Sequence, residues 1–302
     1  MPMYLVTILA VISMMNLALA KQSHADTLNH TIVDGIKRQW YERVPSSYDD
    51  RNPIPVVINF HGSGASPVIQ SEISNFEPLS EAEGFLLVLP KAEYQKHSTG
   101  KVTWNVNSDP SGVDDVKFIR QLIDAIQEKY LIDPARIYAT GFSGGARMIS
   151  RLACDLSSKI AAIAPVAGLQ YAEGCQPQRP VPVITFHGTQ DHVNHYTHQT
   201  DSPTYWHIGI PQAVAYWRQN NRCKNAPIRE LVTKTVDRIS YSECDNGAEV
   251  ILYRSSLAGH TWPGSPAADI AAKYGMGDTD KDLPAAHLIW KFFERHPLSV
   301  NP

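Results

Sequence analysis

The chain has 302 residues, 43% of them hydrophobic and 19% charged, which supplies ample core for one large α/β domain or two small ones. Its 27 basic and 30 acidic residues are interspersed, for a net charge of -3, and no basic run occurs. Nucleic acid and anionic lipid are thereby excluded as partners.

Residues 4–20 are almost wholly apolar, close on Ala18-Leu19-Ala20 with small residues at cleavage-site spacing, and give way at once to the polar stretch from Lys21 to Asp26. This is the pattern of a signal peptide over residues 1–20. No Lys or Arg precedes the apolar run, so a retained anchor is the alternative. The expectation is export, with no stable membrane association after cleavage. The remainder, 27–302, reads as a single catalytic domain without internal repeats or a linker.

After an early strand from Lys37 to Val44, Pro55 to Phe60 is a continuous apolar run, the form taken by a strand buried on both faces of a parallel sheet. It ends in His61-Gly62-Ser63-Gly64. A helix from Phe76 to Glu83 is closed by Gly84, and a second buried strand runs from Phe85 to Leu89. Residues Lys91 to Gly112 form a long polar loop containing Trp104-Asn105. From Asp114 to Tyr130 the positions Val116, Ile119, Leu122, Ile123 and Ile126 share one helical face, with an aspartate suited to the N-cap.

A strand beginning near Arg136 then meets Gly141-Phe142-Ser143-Gly144-Gly145, and a helix-compatible run from Ala146 to Cys154 follows directly. Ala161 to Val166 and Val181 to Phe186 continue the alternation. Next come an aromatic and His-rich loop from Val193 to Ile210 and a helix near Pro211 to Asn220. Strands at Leu231 to Asp237 and Ala248 to Arg254 and a last helix from Leu283 to Arg295 complete the chain. Strand and helix alternate with crossovers of helix length, which predicts a mostly parallel, doubly wound sheet flanked by helices. The four cysteines fall into pairs of matched spacing, Cys154 with Cys175 and Cys223 with Cys244, and sequential pairing is the simplest of three connectivities.

G-x-S-x-G between a strand and a helix is the nucleophile elbow, which makes Ser143 the candidate nucleophile. A serine hydroxyl needs a base, an acid and an oxyanion site, and in α/β-hydrolases acid and base follow the serine on loops after later strands. The strand ending at Phe186 runs into His187-Gly188-Thr189-Gln190-Asp191, so Asp191 is the acid candidate. The last strand is followed by a loop carrying His260, the base candidate. Backbone N–H groups of Gly144 and Ser63 are the expected oxyanion donors. Trp104, Tyr196, Tyr205, Trp206 and Trp262 lie on loops at the sheet's carboxyl edge and are the candidate substrate-facing aromatics. The histidines 187, 192, 195 and 198 match no zinc spacing, so neither a metal nor a cofactor is expected.

Together, His61-Gly62, Trp104-Asn105, Asp114 to Ile119, Gly141 to Gly145, Arg151 to Cys154, Ala164 to Gly168, His187 to Asp191, Gly259 to Gly264 and Ile289 to Phe293 resemble the secreted polyhydroxybutyrate depolymerase and feruloyl esterase family of α/β-hydrolases. The resemblance covers nearly all of the chain after the leader and implies that Ser143, Asp191 and His260 correspond to the family's triad. Many relatives have Cys where Ser63 stands, and Asn or Ala where Gly144 stands. A backbone donor survives both changes. The resemblance implies a serine carboxylic ester hydrolase acting on feruloyl or acetyl groups of plant polysaccharide or on short hydroxyalkanoate oligomers. The added binding domain of many polymer-degrading relatives is not expected after Pro302, which favours soluble esters. A prolyl oligopeptidase-like peptidase shares G-x-S-x-G-G but usually carries propeller repeats, an acyltransferase could use the same acyl-enzyme, and a binding protein on an inactive fold would not need every catalytic position filled.

Overall fold

The computed structural model describes residues 26–95 and 100–299. The signal-peptide stretch lies outside them.

A ten-stranded sheet is built from β1 (Thr27–Val33), β2 (Ile36–Arg43), β3 (Ile54–Phe60), β4 (Leu86–Pro90), β7 (Ile132–Phe142), β8 (Ile163–Val166), β9 (Val183–Gly188), β10 (Ile228–Leu231), β11 (Val236–Tyr241) and β12 (Val250–Ser255). Two short strands, β5 (Tyr94–Gln95) and β6 (Val102–Thr103), pair apart from it. The order is β1-β2-β4-β3-β7-β8-β9-β12-β11-β10. Every neighbouring pair from β4 to β12 is parallel, and antiparallel hairpins close both edges. The doubly wound sheet predicted from the alternation of elements is the one observed.

The helices are α1 (Pro67–Ser74), α2 (Phe76–Glu83), α3 (Asp115–Lys129), α4 (Gly144–Asp155), α5 (Ile210–Asn220), α6 (Ala268–Lys273) and α7 (Ala285–Glu294). Because side chains of a strand alternate between faces, each central strand divides between two cores. Val56, Ile58 and Phe60 of β3 join Phe118, Leu122, Met148 and Leu152 of α3 and α4. Val57 of β3, Leu87 of β4 and Tyr138 of β7 join Phe76 of α2 and Phe293 of α7 on the other side. There Tyr138 stacks on Phe293 with ring centroids 4.6 Å apart. Continuous apolar strands are thus buried on both faces, each such side chain contributing roughly 1.5–3 kcal/mol.

Several elements differ from the expectation, among them the short β5–β6 pair in the stretch read as a polar loop and helix α6. β1 pairs with β2 through an Asp34-Gly35 turn whose φ values are both positive, 51° and 80°. That is the backbone a two-residue hairpin needs. The strand predicted from Leu231 to Asp237 is a hairpin turn instead: those two residues face each other across β10 and β11. Thr233 Oγ1 accepts from the backbone N–H of Thr235 and Val236, an alternative to extended pairing. Helix α1 starts at Ser66, whose hydroxyl accepts from Ile69 N, with Pro67 in the first turn.

Both predicted disulfides are present. Cys154 in the last turn of α4 is bonded to Cys175, and Cys223 after α5 to Cys244 before β12. No helix among the described residues is long and apolar enough to cross a membrane.

Candidate active site

Ser143 stands between β7 and α4 with φ 54° and ψ -112°, a backbone region that a non-glycine residue adopts at a cost. Its amide donates to Val166 O at the end of β8, 3.0 Å away, which pins the turn to the sheet. α4 can begin this close to β3 only because residue 145 is glycine: a Cβ there would lie 2.4 Å from Phe60 O. The motif therefore forms the elbow predicted for it, with the serine held at the tip.

Asp191 follows β9 and His260 follows β12, two parallel neighbours in the sheet. His260 Nδ1 and Asp191 Oδ2 are 2.8 Å apart, and both side chains are buried. The other carboxylate oxygen, Oδ1, accepts from Val193 N and Asn194 N, each at 2.8 Å. His187 Nε2 lies 3.3 Å from Asp191 Oδ2 and 2.8 Å from Asn194 O. Burial alone would raise the Asp191 pKa, but the hydrogen bonds and charges of His187 and His260 outweigh it and hold the carboxyl well below the usual carboxylate range. The acid candidate is thus an ionised, fully bonded carboxylate that fixes the imidazole with Nδ1–H toward it. Gly188 allows the two loops to meet, since a Cβ there would sit 1.9 Å from Ala258 O. Backbone bonds from Thr189 to Ser255 and from Gln190 to Ala258 hold them together.

On the opposite side of Ser143, the loop after β3 carries Ser63. A Cβ placed on Gly144 would lie 2.9 Å from Ser63 N, so the residues expected to supply oxyanion donors are in close approach. Ser63 Oγ lies 2.6 Å from Thr103 Oγ1. The loop is riveted by His61, which is buried: its Nδ1 is 2.8 Å from Gly62 O, and its Nε2 accepts from Ala92 N at 3.1 Å. An acceptor at Nε2 and a donor at Nδ1 require the neutral ring, and burial drives its pKa down to about 4.

Ser143 and His260 open on one cavity of about 920 Å³. Its wall includes Phe142, Tyr205, Ile69, Ile73 and Met276. Of the five candidate aromatics, Trp104, Tyr205 and Trp262 contribute to this wall, but the two tryptophans are nearly fully buried. Trp104 donates from Nε1 to His61 O at 2.8 Å and packs on Phe60, so its indole braces the His61 loop. Trp206 and Tyr196 are not on the wall, contrary to the expectation. Trp206 is wholly buried, stacks on His187 and donates to His195 O, while half-buried Tyr196 packs against the other core side chains. A His-rich, aromatic loop reads as ligand-facing in sequence, yet of its large rings only Tyr205 reaches the cavity, while Trp206 and Tyr196 pack into the core.

The sequence reading missed Arg147, which lines the cavity, and the segment from Met276 to Asp278, which braces His260 from behind. Arg147 lies one helical turn after Ser143, a spacing that could have signalled it. Met276 O accepts from His260 N and Asp278 O from Gly259 N, a contact between distant loops for which the sequence holds no local sign.

Residues 44–222, more than half of the chain, match the family described as Esterase PHB depolymerase. The chain belongs to that family. Feruloyl esterase B of Piromyces equi is 30% identical over 230 residues, a match covering 72% of this chain and 41% of the relative. A bifunctional acetylxylan esterase/xylanase of Neocallimastix patriciarum is 27% identical over 243 residues, covering 78% of this chain and 33% of the relative. The chain thus spans a third to two-fifths of the length of these two family relatives. An acetyl xylan esterase from Aspergillus awamori shares the α/β-hydrolase fold, with a TM-score of 0.58 at 18% identity over 83% of this chain and 100% of that one.

Proposed function

We propose that this member of the esterase family is an exported serine carboxylic ester hydrolase that works through Ser143, His260 and Asp191 and an acyl-enzyme. The observation that carries the reading is the 2.8 Å contact of His260 Nδ1 with an ionised, buried Asp191, beside a cavity that His260 and Ser143 share. His260 Nε2 takes the Ser143 proton as Oγ attacks the ester carbonyl, and the Nδ1–H bond to Asp191 stabilises the imidazolium that forms. The tetrahedral oxyanion is met by the N–H groups of Gly144 and Ser63, with the first turn of α4 aimed the same way. Collapse returns the proton to the departing alcohol, and water repeats the sequence on the acyl-enzyme.

The names of the relatives supply the substrate classes: feruloyl or acetyl groups on plant polysaccharide, or hydroxyalkanoate oligomers. The two disulfides and the apolar leader support export. Ser143→Ala and His260→Ala should each lower kcat at least about 1000-fold, with Asp191→Asn less damaging and the losses not additive. The measurement is kcat/KM for methyl ferulate, p-nitrophenyl acetate, an acetylated xylo-oligosaccharide and a hydroxybutyrate trimer. Undiminished turnover by folded Ser143→Ala protein rejects the mechanism, and the ranking of substrates assigns the acyl group.

A further inference from the structure

Arg147 is the feature of the cavity that the triad reading leaves unused. It lies on α4 one turn beyond Ser143, its backbone N–H donating to Ser143 O at 3.0 Å, and its side chain reaches the cavity wall. The guanidinium is fixed from two sides. Its carbon sits 4.2 Å from the centroid of the Tyr205 ring, and one terminal nitrogen is 3.4 Å from Ser63 Oγ. Neither contact neutralises its charge.

Two other sheltered arginines of this chain have their charge met by acceptors, although Arg38 also keeps buried nitrogens without a partner. Arg38 is paired with Asp115 in the core, and Arg179 spends its nitrogens on the carbonyls of Ser157, Ile160, Ala161 and Pro180. Arg147 has no carboxylate within ion-pair distance among the described residues, and its Nε is sealed from solvent without a partner. Burial lowers its pKa to about 10, which leaves it a cation at neutral pH. Lys101 lies on the same wall, its aliphatic stem against Gly64. The acid in the lining, Asp109, accepts from Tyr94 Oη and from the Ser111 backbone and hydroxyl. A sheltered, uncompensated guanidinium is unfavourable unless an anion completes it, and its planar fork suits a carboxylate.

We propose that the cavity selects esters carrying a carboxylate, which Arg147 binds beside the reacting centre. The proposal rests on the ester-hydrolase reading of the same cavity. Because Arg147 reaches the side chain of Ser63, whose amide faces the oxyanion, the carboxylate lies a short spacer away from the ester carbonyl. Half-esters of short dicarboxylic acids and acylated hydroxy acids have that form. Arg147 is then a specificity-determining residue, while bond making and breaking stay with Ser143 and His260.

The test separates binding from turnover. Monoethyl glutarate and its uncharged counterpart ethyl valerate are titrated by NMR into Ser143→Ala protein, which cannot consume them, and into the Ser143→Ala/Arg147→Met and Ser143→Ala/Arg147→Lys doubles. The expected result is tighter binding of the anionic ester to Ser143→Ala, with that preference reduced about tenfold in the Met double and largely kept in the Lys double. Tenfold is the loss of one charge-assisted hydrogen bond. On Ser143→Ala alone, 0.5 M salt should shrink the preference, a readout that needs no substitution at Arg147. A preference that is absent, or that changes less than threefold in the Met double, overturns the proposal. Equal weakening of both esters does so as well, since it makes Arg147 a brace for Ser63. Hydrolysis of the same two esters by the unmutated chain is scored separately, so a failure of the triad reading appears as lost turnover with binding selectivity intact.

Discussion

Trp262 lies two residues beyond His260, and from sequence its indole is expected to face the acyl group. In the fold it is 3% exposed and meets Phe76 edge-on at 6.2 Å. On another side it meets Phe142, whose ring is itself 4.9 Å from the His260 ring. An indole wedged between a helix residue and the aromatic beside His260 acts mainly as a strut. Trp262→Ala should therefore lower kcat/KM for methyl ferulate and p-nitrophenyl acetate alike, the two losses agreeing within about twofold, because His260, the proposed base, is misplaced for both. It should also lower the urea-unfolding free energy by roughly 3–5 kcal/mol, as other large aromatic truncations in cores do. A loss several-fold greater on the ferulate would restore the role of substrate wall. The same distinction applies to Trp104, whose Nε1 is committed to His61 O.

Among the elements, those legible in the sequence were the ones whose burial is symmetric. β3, β4, β9 and β12 are almost wholly buried on both faces, so their residues form largely apolar runs, and helices such as α3 show one apolar stripe. β1 is mostly exposed at the sheet edge, where pairing is made by backbone bonds and leaves little trace in side chains. Its one sign, Asp34-Gly35, was short. The site divides in the same way. Ser143, Asp191 and His260 could be read because each follows shortly after a strand, whereas Arg147 and the Met276 brace depend on approaches between distant segments. Gly188 shows how tight those approaches are. Adding a methyl group that would fall 1.9 Å from Ala258 O must push the β9 loop away from the β12 loop, and with it Asp191 away from His260. Gly188→Ala should reduce kcat/KM on the order of 100-fold while both triad side chains remain present. Activity within threefold of wild type would mean that the loops shift together and that the carboxylate–imidazole contact does not depend on this glycine.

For the molecule as a whole, these local devices set the response to acid. His61 locks the Ser63 loop to the segment after β4 only as a neutral ring, because Nε2 must accept from Ala92 N. Its folded pKa of about 4 lies below the 6.5 of an unperturbed imidazole, so between those values the unfolded chain binds a proton that the native chain refuses. Stability attributable to His61 is therefore complete above about pH 6.5, declines as pH falls, and is exhausted near pH 4. Carboxylates act lower. Glu249, hydrogen-bonded by His296 and Arg295, has its pKa lowered to about 2, and Asp191 is lowered too, so their contributions begin to fail as pH falls through the ordinary carboxylate range and continue to be lost below it. Asp115 has the opposite sign, since burial raises its pKa despite Arg38, and protonating it relieves part of that cost. The window from pH 6.5 to 4 therefore carries a His61 term worth on the order of 3 kcal/mol at its limit. Urea unfolding of wild type and His61→Gln at pH 7 and pH 4.5 isolates it. The variant should be the less stable protein at pH 7, because the Ala92 bond is lost or lengthened, yet it should lose at least about 1 kcal/mol less than wild type on acidification. An equal acid loss in the two proteins would show that the His61 ring opens to water before it protonates, and that the loop is held by Trp104 alone.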